Sequence, residues 1–358
     1  MKGQEDKMLS KKQLEIVESE AQNIVVLSAA ASGKTEVLTK RVEYLLKKPN
    51  ISPDDIVVIT FTNAAAEEMR ERLNNPRGLF IGTIHAYANY LLLANGTQTA
   101  KYLESDRFDE LFEILEMNPS YMKKVKYLFL DEAQDSNELQ FNFILNLIMP
   151  ESFFIIGDLK QCIYEWNGSR PDILKRIIKE ENVKVYDLNE NYRNGRNILN
   201  YAKTTLSNIK PKDNWCFDNS IPMYPAAGRV IEMENNLTKI SNFIKEEGNY
   251  GDWFILTRTN AQLDKAFDFL TKQKIPCDTF RKSELDNKEL NKRMKKDTVK
   301  ILTIHTAKGL ENKNVVVIGA NFRTNEECRI SYVAATRAKE ILIWTTTKKK
   351  RQTYYNWE

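Results

Sequence analysis

The chain has 358 residues, 42% of them hydrophobic and 28% charged, with a formal charge of +4 from 53 basic and 49 acidic side chains. That length holds two or three ordinary domains, and so mild a charge excludes a protein that grips nucleic acid by bulk electrostatics alone. No run approaches the ~20 apolar residues of a membrane span.

From the N-terminus, Met1–Lys7 has no apolar core and is not a signal peptide, which predicts a cytoplasmic protein. Short apolar runs follow at Ile24–Leu27, Ile56–Thr60, Tyr127–Leu130 and Phe153–Ile156, each ending in a polar turn before a helical segment. This alternation predicts a parallel sheet covered by helices on both faces. Polar residues after the strand ends are then expected on one rim, where such folds bind ligands. The theme restarts with Trp253–Leu256, Val299–Ile304, Val315–Ile318 and Ile341–Trp344, with helices expected over Leu237–Glu247 and Ala261–Lys272. The class is α/β, with residues 1–190 as a first domain and 191–358 as a second. A short helical insertion is expected near 90–122, a loop over 211–227 and a charged helical connector over Lys282–Lys296. Cys162, Cys216, Cys277 and Cys328 form no metal-ligand spacing and read as reduced thiols. Lys348–Arg351 reads as a solvated tail.

Two segments carry chemistry. Ser28-Ala-Ala-Ala-Ser32-Gly33-Lys34-Thr35 follows the first apolar run, so backbone N–H groups and a helix start should face phosphates there. Lys34 supplies a cation to the β- and γ-phosphates and Thr35 a hydroxyl to Mg²⁺. Asp131-Glu132 follows the third run, Asp131 as a second Mg²⁺ ligand and Glu132 to orient and deprotonate a water. Together they are the minimum equipment for splitting a nucleoside triphosphate. Ser28 and Ala29–Ala31 stand where glycines are common, and alanine resists positive φ.

With Asp131-Glu132-Ala133-Gln134-Asp135 on the page, the chain resembles the UvrD/Rep-type superfamily 1 DNA helicases from about Leu9 to about Trp344. The resemblance implies two RecA-like P-loop NTPase domains, each a mainly parallel sheet flanked by helices, that use ATP and Mg²⁺. It implies that Gln13 reads adenine, Ser32, Gly33, Lys34 and Thr35 hold phosphate, Tyr192 of Asn191-Tyr192-Arg193 stacks on adenine and Glu311 meets the ribose. In Gly157–Gly168, Gln161 senses the γ-phosphate while Tyr164 and Trp166 face the bases. Phe61, Thr62, His85, Asn260, Thr303 and His305 lie in further blocks expected along single-stranded DNA, and Arg193 and Arg337 are the two arginine fingers.

The physics agrees with these assignments. Charge developing on a γ-phosphoryl group needs cations such as Arg193 and Arg337, and aromatic side chains stack on any base. A lone His is usually a structural hydrogen-bonder, but His85 and His305 both fall inside the blocks. Relatives carry a large insertion in each domain, and here both are expected to be short. Glu36, Ala64 and Asn167 stand where relatives often have cations, which predicts weaker DNA binding with a shallower salt dependence. The leading reading is a 3′–5′ translocase or helicase on single-stranded DNA. The alternatives are a DNA-stimulated ATPase that switches a partner, such as a nuclease or a repair or defence protein, and a non-hydrolysing nucleic-acid binder.

Overall fold

The computed structural model describes residues 8–105, 107–210, 218–281, 292–346 and 353–355. The N-terminal heptad, Cys216, most of the expected 282–296 connector and Lys348–Arg351 lie outside them. The chain divides into two compact units, one of Met1–Ser28 with Ser32–Leu188 and one of Ala29–Ala31 with Asn189–Glu358.

The first unit opens with α1 (Lys11–Glu18), started by a capping box in which the Ser10 hydroxyl accepts from Gln13 N–H and the Gln13 side chain accepts from Ser10 N–H. Six strands follow: β1 (Asn23–Ser28), β2 (Ile56–Thr60), β3 (Phe80–Thr83), β4 (Tyr127–Leu130), β5 (Ser152–Gly157) and β6 (Val183–Leu188). They pair in the order β3-β2-β4-β5-β1-β6, and every pairing is parallel. β1 and β4 therefore flank β5, and their C-terminal ends share one rim. One face of the sheet buries Ile24, Val26, Val58, Phe129 and Ile156 against α1, α2 (Lys34–Leu46) and α3 (Asn63–Arg72). The alternate residues Val25, Ile59, Leu128 and Ile155 point the other way and are equally buried, as the two-residue period of a strand requires. Between β3 and β4 lie three helices, α4 (Ile84–Ala94), α5 (Ala100–Glu104) and α6 (Glu110–Met117). Short α7 (Glu138–Asn142) and α8 (Pro171–Ile177) complete the unit.

The second unit begins with β7 (Glu190–Asn191), which pairs in parallel with β8 (Ile221–Pro222) inside the stretch expected to be loop. Pro222 is tolerated because the ladder uses the N–H groups of Ile221 and Met223 on either side of it. After α9 (Arg196–Thr205) come β9 (Arg229–Glu234), α10 (Leu237–Glu247), β10 (Trp253–Thr257), α11 (Asn260–Lys272), β11 (Cys277–Phe280), β12 (Val299–Thr303) and β13 (Asn312–Ile318). A last helix, Asn325–Ala335, leads into β14 (Ala338–Thr346), and β15 (Thr353–Tyr355) adds an edge. The seven strands run β11-β12-β10-β13-β14-β9-β15, parallel except for β15. Their core packs Ile231, Ile255, Ile301, Val316 and Ile343 against Ile240 and Ile244 of α10 and Leu263 and Leu270 of α11. Both units are thus α/β with mainly parallel sheets, as the alternating pattern predicts. Among the described residues, no helix is long and apolar enough to cross a membrane.

Trp253 is fully buried in this second core, its indole N–H donating to Gly248 O at 3.1 Å. Trp253→Ala should destabilise the protein by about 3–5 kcal/mol, read as a lower urea midpoint. A loss under about 1 kcal/mol would contradict the packing of β10.

Candidate nucleotide site and aromatic platform

The phosphate-loop segment leaves β1 at Ser28, whose hydroxyl donates to Gly157 O at 2.9 Å and ties the ends of β1 and β5 together. Gly33 turns the chain into α2 with φ of 82°, and no side chain caps that helix start, so its first N–H groups are left for a ligand. A Cβ at Gly33 would lie 2.8 Å from Gln13 Nε2, so a side chain there would displace the Gln13 amide. Ala31 adopts φ of 57°, the left-handed conformation that alanine resists. Ser32 is 0% exposed, and its hydroxyl has no hydrogen-bond partner among the described residues. A buried hydroxyl without a partner is costly, and an anionic oxygen held by the helix start would remove that cost. These residues fit a triphosphate.

Gln13 is buried here as a brace. Its Nε2 donates to Ser32 O at 3.1 Å while its Oε1 accepts from Ser10 N–H at 2.9 Å. The expected adenine reader thus also fixes the phosphate loop against α1.

Lys34 Nζ meets Glu132 at 3.2 Å, with both side chains partly exposed. Glu132 sits at φ of 50°, immediately after β4. Asp131 is buried, accepts from Glu132 N–H at 2.8 Å, and donates its own N–H to Ile59 O. Burial first, and then the Glu132 charge, push the Asp131 carboxyl up to about 7 against the pull of Lys34. Thr35 lies in the first turn of α2. No group of three or more His, Cys, Asp or Glu side chains forms a metal cage among the described residues. A divalent ion held by Thr35 and Asp131 would therefore draw most of its ligands from phosphate and water, the usual manner of Mg²⁺.

Gln134 Nε2 donates to Glu132 Oε2, and Gln134 Oε1 accepts from Asp158 N–H at 2.8 Å. Asp158 is fully buried and accepts from Gln161 Nε2 at 2.7 Å. Lys160 adds an ion pair to Asp158 at 3.3 Å. Lys34, Asp131, Glu132 and Gln161 therefore gather at the ends of β1, β4 and β5.

Beside them, Phe61 stacks on Tyr164 with ring centroids 5.3 Å apart, and Trp166 packs edge-on against Tyr164 at 6.2 Å. Tyr164 is buried, which raises its hydroxyl pKa, whereas Trp166 is 72% exposed. Thr62 caps α3 by accepting from Ala65 N–H. His85 is engaged elsewhere: it stacks on Phe112 of α6 at 5.1 Å, and its Nε2 lies 3.2 Å from Asp109 Oδ1.

In the second unit, Asn191 Oδ1 accepts from the N–H groups of Arg193 and Asn194 and shapes that turn. Arg193 Nε donates to Glu311 Oε2, and Lys339 holds the other oxygen of Glu311 at 2.7 Å. Burial opposes the Glu311 charge, but Arg193 and Lys339 outweigh it and hold its pKa below the usual carboxylate value. Tyr192 donates its hydroxyl to Glu190 at 2.8 Å. Arg337 is 1% exposed, and its guanidinium donates to Val333 O at 3.0 Å and Leu310 O at 3.2 Å. The Val333 carbonyl lies in the last turn of the preceding helix, a favourable place for a cation, whereas that of Leu310 precedes β13.

Glu311 and Arg337 immediately precede β13 and β14, at the N-terminal rim of the second sheet. Thr303, which ends β12 and shares a 2.9 Å hydrogen bond with Thr306, lies at the C-terminal rim. His305 follows it, and Asn260 opens α11 after β10 on that same rim. The expectation of one ligand rim holds for the residues of the first unit; in the second they divide between two.

Two features escaped the sequence reading. Glu36, read as a lost cation, pairs with Arg72 of α3 at 2.7 Å. Gln134 and Asp158 lie inside quoted motifs, but only the adjacency of β4 and β5 shows that they meet.

Residues 9–119 and 105–182 match the UvrD/REP helicase N-terminal domain, and residues 278–349 match the UvrD-like helicase C-terminal domain. DNA helicase II of Haemophilus influenzae is 25% identical over 75% of this chain and 50% of its own length. A probable DNA helicase II homolog of Mycoplasma capricolum is 26% identical over 75% of this chain and 51% of its own. A probable DNA helicase of Mycoplasma pneumoniae is 22% identical over 89% of this chain and 79% of its own. The chain spans about half the length of the first two relatives.

Because Ala31 occupies a left-handed conformation, Ala31→Gly should stabilise the protein by about 1 kcal/mol, measured by urea unfolding. An unchanged or lower midpoint would show that the loop bears no such strain.

Proposed function

The chain belongs to the UvrD/Rep-type superfamily 1 helicases, and from that premise we propose that it is an ATP-hydrolysing motor acting on DNA. The observation that carries this reading is the Lys34–Glu132 pair at 3.2 Å beside the uncapped start of α2 and the unpartnered Ser32 hydroxyl. A cation, a carboxylate and the N–H donors of a helix start lie at one strand rim.

ATP enters by competing for groups already paired. The Lys34 ammonium moves from Glu132 to the β- and γ-phosphates, and the freed carboxylate takes a proton from the attacking water. Ser32, Gly33 and the α2 N–H groups receive phosphate oxygens. Thr35 and Asp131 would hold Mg²⁺, which would supply neutralisation of phosphate charge. Gln161, kept in place by Asp158, reports on the γ-phosphate. The resemblance assigns the base to Gln13 in the first unit and to Tyr192 in the second.

The same exchange serves the second unit. Arg193 leaves Glu311 for developing phosphoryl charge, and Glu311 turns to the ribose hydroxyls. Arg337 contributes after releasing the carbonyls of Val333 and Leu310, so its recruitment requires local rearrangement.

Single-stranded DNA lies on Phe61, Tyr164 and Trp166, with Thr62 beside Phe61 and His85 at the start of α4 as further contacts. Asn260, Thr303 and His305 supply the second unit's contacts. Stacking of this kind takes any base, and each stacked base is worth roughly 1–3 kcal/mol. Cycles of ATP binding and hydrolysis then carry the protein along the strand in the 3′–5′ direction.

Lys34→Ala and Glu132→Gln should each lower ATP turnover at least about a hundredfold. Turnover persisting in both would place the site elsewhere. Duplexes with a 3′ or a 5′ overhang test the rest: unwinding should need the 3′ overhang, and unwinding from the 5′ overhang alone would reverse the assigned polarity.

A further inference from the structure

The rim of the first sheet opposite the nucleotide site holds a cavity of about 310 Å³. It lies at the N-terminal ends of β1, β4 and β5, where Gln22, Tyr127 and Ser152 line it. Its size is at the lower end of small-ligand sites. Arg41 of α2 is 5% exposed and forms part of the wall. Arg41 Nη1 donates to the carbonyls of Ile16, Val17 and Ser19 at 3.2, 2.9 and 2.9 Å, closing the C-terminal end of α1. Nε and Nη2 have no hydrogen-bond partner among the described residues. Neither is sealed from solvent, so both open onto the cavity. Together they are the side-on edge of the guanidinium, a fork that matches two oxygens of one anion. The guanidinium lies over the Phe154 ring at 5.4 Å, which holds its plane.

The neighbouring charges are settled among themselves and leave Arg41 out. Glu20 is held by Lys48 at 2.7 Å and by the Tyr44 hydroxyl at 2.7 Å. Glu151 pairs with Lys124 at 2.5 Å, and Lys126 with Asp55 at 2.9 Å. Arg41 forms no ion pair among the described residues. Burial pulls its pKa down, and the Glu20 charge, beyond ion-pair distance, only partly opposes that. A buried cation balanced by carbonyl dipoles alone is costly, and an anion beside it removes the cost.

We propose that this cavity is a second anion site, in which Arg41 Nε and Nη2 grip two oxygens of a phosphate group. Lys48 and Lys126 supply the surrounding positive field. Arg41, Lys48 and Lys126 line the cavity against Glu20 and Glu151, a surplus of positive charge that favours phosphate over the less charged carboxylate. The space beyond a phosphate ion admits a small ester group, so the phosphate is either free or carried by a phosphomonoester. The donors stand in place in the protein as it is, and binding needs no rearrangement. The site is separate from the nucleotide site, at the other ends of the same strands.

The test is calorimetric titration of inorganic phosphate into the full chain carrying Lys34→Ala, which silences the phosphate loop. Phosphate should still bind, with a dissociation constant below about 10 mM. Arg41→Lys keeps the charge and loses the fork, and should weaken binding at least about tenfold. Glu20→Gln removes the competing carboxylate and releases Lys48, and should tighten binding about threefold. Lys48→Gln leaves Glu20 bare, and should weaken binding by about the same factor. The Glu20 and Lys48 side chains are both partly exposed, so these two variants decide if Arg41→Lys fails to fold. Glycerol 3-phosphate titrated in place of phosphate separates the two sources: tighter binding than phosphate assigns an ester, weaker binding the free ion. Phosphate binding that vanishes with Lys34→Ala alone overturns the proposal, as does binding that the Arg41, Glu20 and Lys48 variants leave unmoved.

Discussion

Lys34 and Glu132 meet because β1 and β4 flank β5 and all three strands run the same way. Parallel pairing brings three turns to one rim, and each contributes a different kind of group. The β1 turn gives a cation and free N–H donors, the β4 turn two carboxylates, and the β5 turn an amide anchored on a buried aspartate. Contacts between the turns lock the arrangement: Ser28 to Gly157 across β1 and β5, and Gln134 to Asp158 across β4 and β5. Without this strand order the same residues would be ordinary polar side chains at helix and strand ends.

Both units satisfy their ligand-facing charges internally. Lys34 with Glu132 in the first unit and Arg193 with Glu311 in the second are acid–base pairs at partly buried positions. Half-buried charge without a partner is expensive, and a pair removes that cost while no ligand is bound. On the proposed reading, a triphosphate would supply the cations with a new counter-charge and at the same time release the acids. Exchange of partners needs far less desolvation than meeting a bare charge.

Most of this was legible from the sequence. Gly33-Lys34-Thr35 and Asp131-Glu132 follow uninterrupted apolar runs, and contiguous chemistry after a central strand needs no tertiary information. Most strands that escaped are short or lie at sheet edges; β9, six residues long between β14 and β15, is the exception. Phe80–Thr83 carries Gly82, Val183–Leu188 alternates with Lys184 and Asp187, and Cys277–Phe280 is half polar. Edge strands see solvent on one side and lose the continuous apolar signature of central ones. Side-chain direction was equally hidden. The triplet Asn191-Tyr192-Arg193 does not reveal that Arg193 pairs with Glu311, nor does Thr336-Arg337 reveal a guanidinium turned onto carbonyls of its own unit. Gln13 likewise braces a loop distant in sequence, a role that no local pattern encodes.

The split between the two rims of the second sheet has a mechanical consequence. Glu311 and Thr303 mark opposite ends of its strands, and β13 alone runs seven residues, about 23 Å at ~3.3 Å per residue. No side chain bridges that span. Any message from one end to the other must pass through the stiffness of the sheet itself, with β12, β13 and β14 acting as parallel struts. On the proposed reading, rigidity in the middle of the second unit, away from both rims, would be part of the working machinery.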